Sequence, residues 1–84
     1  KVRWVQEAEK YFIQLGFEQV RVRVHQDLAR IEVSLDLVPT LLDHRQEIES
    51  KLRSIGFSYV ALDLAGYQYG RMNQVLSDKE KENI

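Results

Sequence analysis

The chain has no cysteine, so no disulfide, thiolate metal site or cysteine nucleophile exists in its 84 residues. That absence fits a reducing compartment. No apolar run approaches the ~20 residues that span a bilayer, and no signal-peptide pattern appears. Net charge is only -1 and the pI about 6.1, which argues against non-specific nucleic-acid binding. Four glycines, at 16, 56, 66 and 70, form neither a P-loop nor a dinucleotide fingerprint. Ser34, Ser50 and Ser54 lack a nucleophile-elbow context. His25 and His44 are single histidines without a second ligand at metal spacing, so no metal site is assigned. The one proline, Pro39, is placed to open a helical turn, where its missing N–H costs nothing. The chain begins with Lys rather than Met, and reads as a piece of something longer or as a processed product.

What is present is globular: 44% hydrophobic and 30% charged, too apolar for a disordered chain. Its length allows one domain, over 1–76, of modest stability. The organising stretch is QVRVRVHQDLARIEVS, Gln19 to Ser34. Val20, Val22 and Val24 alternate with Arg21, Arg23 and His25. Ala29, Ile31 and Val33 alternate with Arg30, Glu32 and Ser34. Period-two alternation predicts two strands with one dry face each. A turn at Gln26-Asp27 sets Val24 opposite Ala29, Val22 opposite Ile31 and Val20 opposite Val33. Arg21 then faces Glu32, and Arg23 faces Arg30. Like charges directly opposite are unfavourable, so the second pair predicts an acidic group or anion nearby.

Trp4, Val5, Ala8, Tyr11, Phe12 and Leu15 recur at helical spacing, predicting a helix over 1–15. Gly16 suits its left-handed end, with Phe17 packing back on Phe12. A second helix runs from a capping box at Asp43 and Gln46 to Ile55, with Leu41, Ile48, Leu52 and Ile55 on one stripe. It ends in Gly56-Phe57, as the first ends in Gly16-Phe17. A strand follows each ending, and Val60, Leu62 and Leu64 match Val20, Val22 and Val24. The repeat predicts an α+β fold: two layers, α-β-β-α-β, with both helices on the valine face. The three-stranded mixed sheet has expected order 2-1-3, with strands two and three parallel. Gly66 to Leu76 reads as a loop with a short helical turn, and 77–84 as a disordered charged tail.

Arg21, Arg23 and Arg30 form the constellation suited to binding, since guanidinium forks match phosphate oxygens. The plain alternative is a solvated strand face with ordinary charge pairs. Glu32 has three readings: general base, metal ligand, or the partner of Arg21. Glu32 and Asp63 share a face, but neighbouring arginines disfavour a cation there. Tyr67 and Tyr69 suit ring stacking or local packing. The residues alone contain no complete catalytic apparatus.

Two runs carry a resemblance. L-G-F-x-x-V-R-V-R-x-H-x-D-L-A-R-I-E-V spans Leu15 to Val33, and I-G-F-x-Y-V-x-L-D-L-x-G-Y-x-x-G-x-M-N-x-V-L spans Ile55 to Leu76. In this order they resemble the C-terminal region of the LarE-type ATP-dependent sacrificial sulfur transferases, in the PP-loop ATP pyrophosphatase superfamily. Members activate a carboxylate of a pyridinium mononucleotide with ATP and Mg2+, then transfer sulfur, building the nickel-pincer cofactor of lactate racemase. The resemblance implies a cytoplasmic parent, with ATP and Mg2+ held by an N-terminal PP-loop domain of the same chain. It implies that Arg21 and Arg23 bind substrate phosphate beside Arg30, and that Glu32 is catalytic. A phosphorylated small molecule and further copies of the protein are the expected partners, and the region alone is no enzyme. The alternative is a non-catalytic interaction or oligomerisation module. Departures at Gln26, Ala65 and the Gly66–Asn73 segment leave room for a paralogue acting on another substrate.

Overall fold

A computed structural model describes residues 2–67. The first helix, α1, spans Val2–Gln14 and buries Ala8 and Phe12 completely. It ends as its glycine requires. Gly16 takes φ +106°, its amide donates to the Ile13 carbonyl at 3.0 Å, and the Phe17 amide donates to Phe12 at 3.0 Å. Those two bonds make a Schellman ending, and the Phe12 and Phe17 rings meet edge-on at 5.9 Å. Strands β1, Val20–His25, and β2, Leu28–Val33, form the hairpin in the expected register. Gln26 in its turn has φ +56°.

The chain then passes through a 3-10 turn at Leu35–Leu37 and two helices, α2 (Val38–Asp43) and α3 (Arg45–Ile55). The Asp43 capping box is not formed. His44, at φ −107°, separates the helices and caps α3 by position, without a side-chain hydrogen bond. Pro39 lies in the first turn of α2. Gly56 (φ +147°) ends α3, and the Phe57 amide bonds the Leu52 carbonyl at 3.2 Å, repeating the α1 ending.

Strand β3, Tyr59–Leu62, pairs parallel with β2, so the sheet order is β1-β2-β3 and not 2-1-3. The physical reason lies on the outer edge of β1. There α1 packs alongside, and the Glu9 carboxylate accepts a hydrogen bond from the Val22 amide at 3.0 Å. An outward amide that a third strand beside β1 would need is thus already taken by a helix side chain. β2 is central, with Ala29, Ile31, Glu32 and Val33 all buried. β3 is shorter than its match to β1 predicts. Val60 and Leu62 pack on the core, but Leu64 lies in the following turn and is 85% exposed.

The core is one layer of side chains between sheet and helices. Phe12, Phe17, Val20, Val22, Ile31 and Val33 meet Leu41, Ile48, Leu52 and Phe57. The two-layer α+β architecture with helices on the valine face is as expected. The expected loop and short helix beyond Tyr67, and the tail over 77–84, lie outside the described residues.

Candidate functional site on the open sheet face

Alternation places Arg21, Arg23, Arg30, Glu32 and Asp63 on the face turned away from the helices. The register sets Arg21 opposite Glu32 and Arg23 opposite Arg30. The side chains pair diagonally. Arg23 Nε lies 3.5 Å from Glu32 Oε1, and Arg30 Nη2 donates to Glu32 Oε2 at 3.2 Å. Arg30 Nε lies 3.6 Å from Asp63 Oδ2, while Asp63 Oδ1 accepts the Ala65 amide at 2.9 Å. The acidic group that the Arg23–Arg30 juxtaposition demands is therefore Glu32, with Asp63 behind it.

Burial divides the cluster. Glu32 is 3% exposed, the one buried charged residue among those described. A carboxylate at that depth needs partners, because desolvating an unpaired charge is costly. Both its oxygens have guanidinium partners. The Arg23 side chain is about half exposed and that of Arg30 about a third, so both side chains keep contact with solvent. The Arg21 guanidinium carbon stands 5.7 Å from the centre of the Tyr67 ring. Arg21 and Tyr67, with Glu9 and Glu18, bound a cavity of about 200 Å³ at the edge of β1.

The segment after β3 is tied to this face. The Asp63 amide continues the ladder by donating to Ile31, and the Tyr67 amide donates to Val33 at 2.8 Å. Gly66 between them has φ +79°, and a side chain there would meet the Val33 carbonyl at 2.8 Å. Only glycine lets the backbone approach β2 so closely, which brings Tyr67 to Arg21.

All four expected site residues thus occupy one face, and the structure groups them as two units. Arg23, Arg30, Glu32 and Asp63 form a connected network; Arg21 stands at its end beside Tyr67. Sequence reasoning missed Glu9. Its signal was faint: it follows Val5 by four, at the border of the apolar stripe, where a long side chain reaches a strand edge. His25 lies at the exposed end of the hairpin opposite Leu28, and His44 Nδ1 is 3.5 Å from Glu47. Among the described residues no group of three or more His, Cys, Asp or Glu side chains is arranged to hold a metal. No helix among them is long and apolar enough to cross a membrane.

No family model matches the chain. Among curated proteins, the pyridinium-3,5-bisthiocarboxylic acid mononucleotide synthase of Lactiplantibacillus plantarum is 47% identical over 73 residues, 87% of this chain. An uncharacterized protein of Synechocystis sp. is 42% identical over 79 residues, 92% of this chain. The chain spans 26% and 30% of the length of these two relatives. Nearly all of its residues are therefore accounted for by one region of a longer protein. By that match the chain is similar to one region of a LarE-type protein, an extent consistent with its C-terminal domain.

Proposed function

We propose that this chain is the C-terminal, substrate-side domain of a LarE-type ATP-dependent sulfur transferase acting in cofactor biosynthesis. In it Arg21, Arg23 and Arg30 receive the phosphate of a mononucleotide. The observation that carries this is the guanidinium row itself, on a rigid hairpin and aimed by a buried carboxylate. Arginine forks bind phosphate oxygens bidentately, and a preset direction lowers the cost of binding. The relative's name specifies a mononucleotide product, and every mononucleotide carries such a phosphate.

Glu32 in this reading is the group that sets the arginines' direction. The catalytic role implied by the resemblance requires substrate to displace a guanidinium from it. ATP and Mg2+ belong to the PP-loop domain of the parent protein, which we place N-terminal and in the cytoplasm. The carboxylates here suit Mg2+ poorly, because Glu32 and Asp63 each face arginine.

Titration of the chain with a pyridinium mononucleotide, followed by amide chemical shifts, tests the assignment. Shifts confined to the β1–β2 face, and absent with the dephosphorylated nucleoside, are expected. Shifts elsewhere, or equal shifts without phosphate, overturn it.

A further inference from the structure

Arg21 stands outside the ion-pair network, with its guanidinium carbon 5.7 Å from the centre of the Tyr67 ring. That distance is near the ~6 Å limit of a cation–π contact, so the hold is weak and the ring face can change partners. The tyrosine itself is fixed. It follows the Gly66 turn, its amide donates to the Val33 carbonyl at 2.8 Å, and it is half-buried. Ring and guanidinium bound the cavity of about 200 Å³ at the edge of β1, which Glu9, Ile13 and Glu18 also line. A whole small-molecule site takes roughly 300–1,000 Å³, so this one suits a single ring of a ligand rather than a nucleotide. Its charge is mixed. Glu9 gives one oxygen to the Val22 amide, and the exposed Glu18 forms no ion pair among the described residues. Two carboxylates and one guanidinium on a single cavity complement a ligand that carries both signs of charge.

We propose that this cavity takes the cationic ring of the mononucleotide, with Tyr67 as the platform beneath the ring and Glu18 as its counter-charge. The inference rests on the phosphate assignment and adds to it the residues that read the ring. Binding is an exchange of cations. Arg21 turns from Tyr67 to the phosphate, where its fork makes charge-assisted bonds, and the pyridinium ring takes its place over the phenol. Arg21 breaks no ion pair with a described residue in doing so. The ring nitrogen, joined to the ribose, faces the carboxylates. The acidic groups that the relative's name puts at ring positions 3 and 5 lie away from that nitrogen and point out of the cavity. Ring charge is then a basis of selection. An uncharged ring of similar shape would lose both the cation–π contact and the attraction of Glu18.

Calorimetric titration of the full chain tests it with three probes: nicotinamide mononucleotide, its uncharged dihydropyridine form, and ribose 5-phosphate. The first two share the phosphate and differ in ring charge; the third has no ring. We expect the pyridinium form to bind about fivefold or more tightly than the dihydropyridine form. Glu18→Gln and Tyr67→Leu should each bring the two forms to within about twofold of each other, while Tyr67→Phe keeps the preference because the ring face remains. Affinity for ribose 5-phosphate should be unchanged in all three variants, which a merely structural role for either residue would not allow. Equal affinity for the two mononucleotides in the parent chain overturns the ring assignment, as does a preference that survives both Glu18→Gln and Tyr67→Leu. If ribose 5-phosphate still binds and Arg21→Ala abolishes it, the phosphate assignment stands without the ring. If none of the three probes binds, both assignments fall.

Discussion

Arg23 stands directly across the hairpin from Arg30, and the carboxylate of Glu32 pairs with both. Without it, two like charges would face each other on a sheet, which is destabilising. Glu32→Gln keeps the shape and removes the charge. We expect a loss of ~1–3 kcal/mol, towards the lower end because both arginines retain solvent. Urea denaturation at low and high salt measures it. A variant as stable as the parent at low salt would mean that the network is idle.

Glu9 is a helix residue that serves a strand. Its hydrogen bond to the Val22 amide is charge-assisted and part-buried. Glu9→Ala should cost ~1–2 kcal/mol, and Glu9→Gln less, since the amide oxygen still accepts. Hydrogen exchange at Val22 gives the local check. Faster exchange at that amide, with the β2–β3 ladder unchanged, is the expected result for both variants.

Gly16 and Gly56 end their helices in the same way but do not tolerate substitution alike. An added Cβ at Gly16 meets nothing within 4 Å, so Gly16→Ala carries only the strain of a positive φ, about 1 kcal/mol. A Cβ at Gly56 would lie 2.4 Å from Trp4 Cζ2, in a ring packed edge-on against Phe57 at 5.1 Å. Gly56→Ala must displace the indole, and we expect ~3 kcal/mol or more. Equal losses at the two sites would refute the packing role of Trp4.

Much of this was legible from residue order. The hairpin register followed from the valine alternation, and both helix ends from a glycine followed by phenylalanine. Those signals are local, set by backbone sterics and side-chain period. The strand order was not legible, because it turns on Glu9, thirteen residues from the amide it occupies. The break at His44 was missed for a similar reason: Asp43 and Gln46 have the right spacing for a cap, but the chain turns one residue later. At the site, alternation found the face. It assigned Glu32 to the directly opposed Arg21, whereas in the structure Glu32 pairs diagonally with Arg23 and along the strand with Arg30. Side-chain length decides such pairings, and a register of Cα atoms does not record it.

Tyr11 makes stability depend on alkaline pH. Burial, and then the Glu47 carboxylate, raise its phenol above the ordinary value of 10.0. The folded chain therefore holds the phenolic proton more tightly than the unfolded chain. That contribution is fully present below pH 10 and is lost as pH rises through the folded value. Urea denaturation between about pH 9 and 11 should show stability falling less steeply for Tyr11→Phe than for the parent. Parallel curves would show that Tyr11 ionises freely in the folded state.

Arg21 and Arg30 should separate by what they lose. Arg30 contacts both Glu32 and Asp63, so Arg30→Ala leaves the buried carboxylate with one fewer partner and should cost ~1–2 kcal/mol of stability. Arg21 is exposed beside Tyr67, and Arg21→Ala should change stability by no more than ~0.5 kcal/mol. Phosphate binding should rank the other way. A guanidinium not committed to Glu32 gives its fork to the ligand without first breaking an ion pair. Arg21→Ala should therefore weaken mononucleotide binding about tenfold or more, and Arg21→Lys should recover only part, because an ammonium binds phosphate as a point charge. Binding isotherms beside denaturation curves for the same three proteins separate the two effects. If affinity falls only where stability falls, the arginine row is a structural ion-pair network and the phosphate must bind elsewhere.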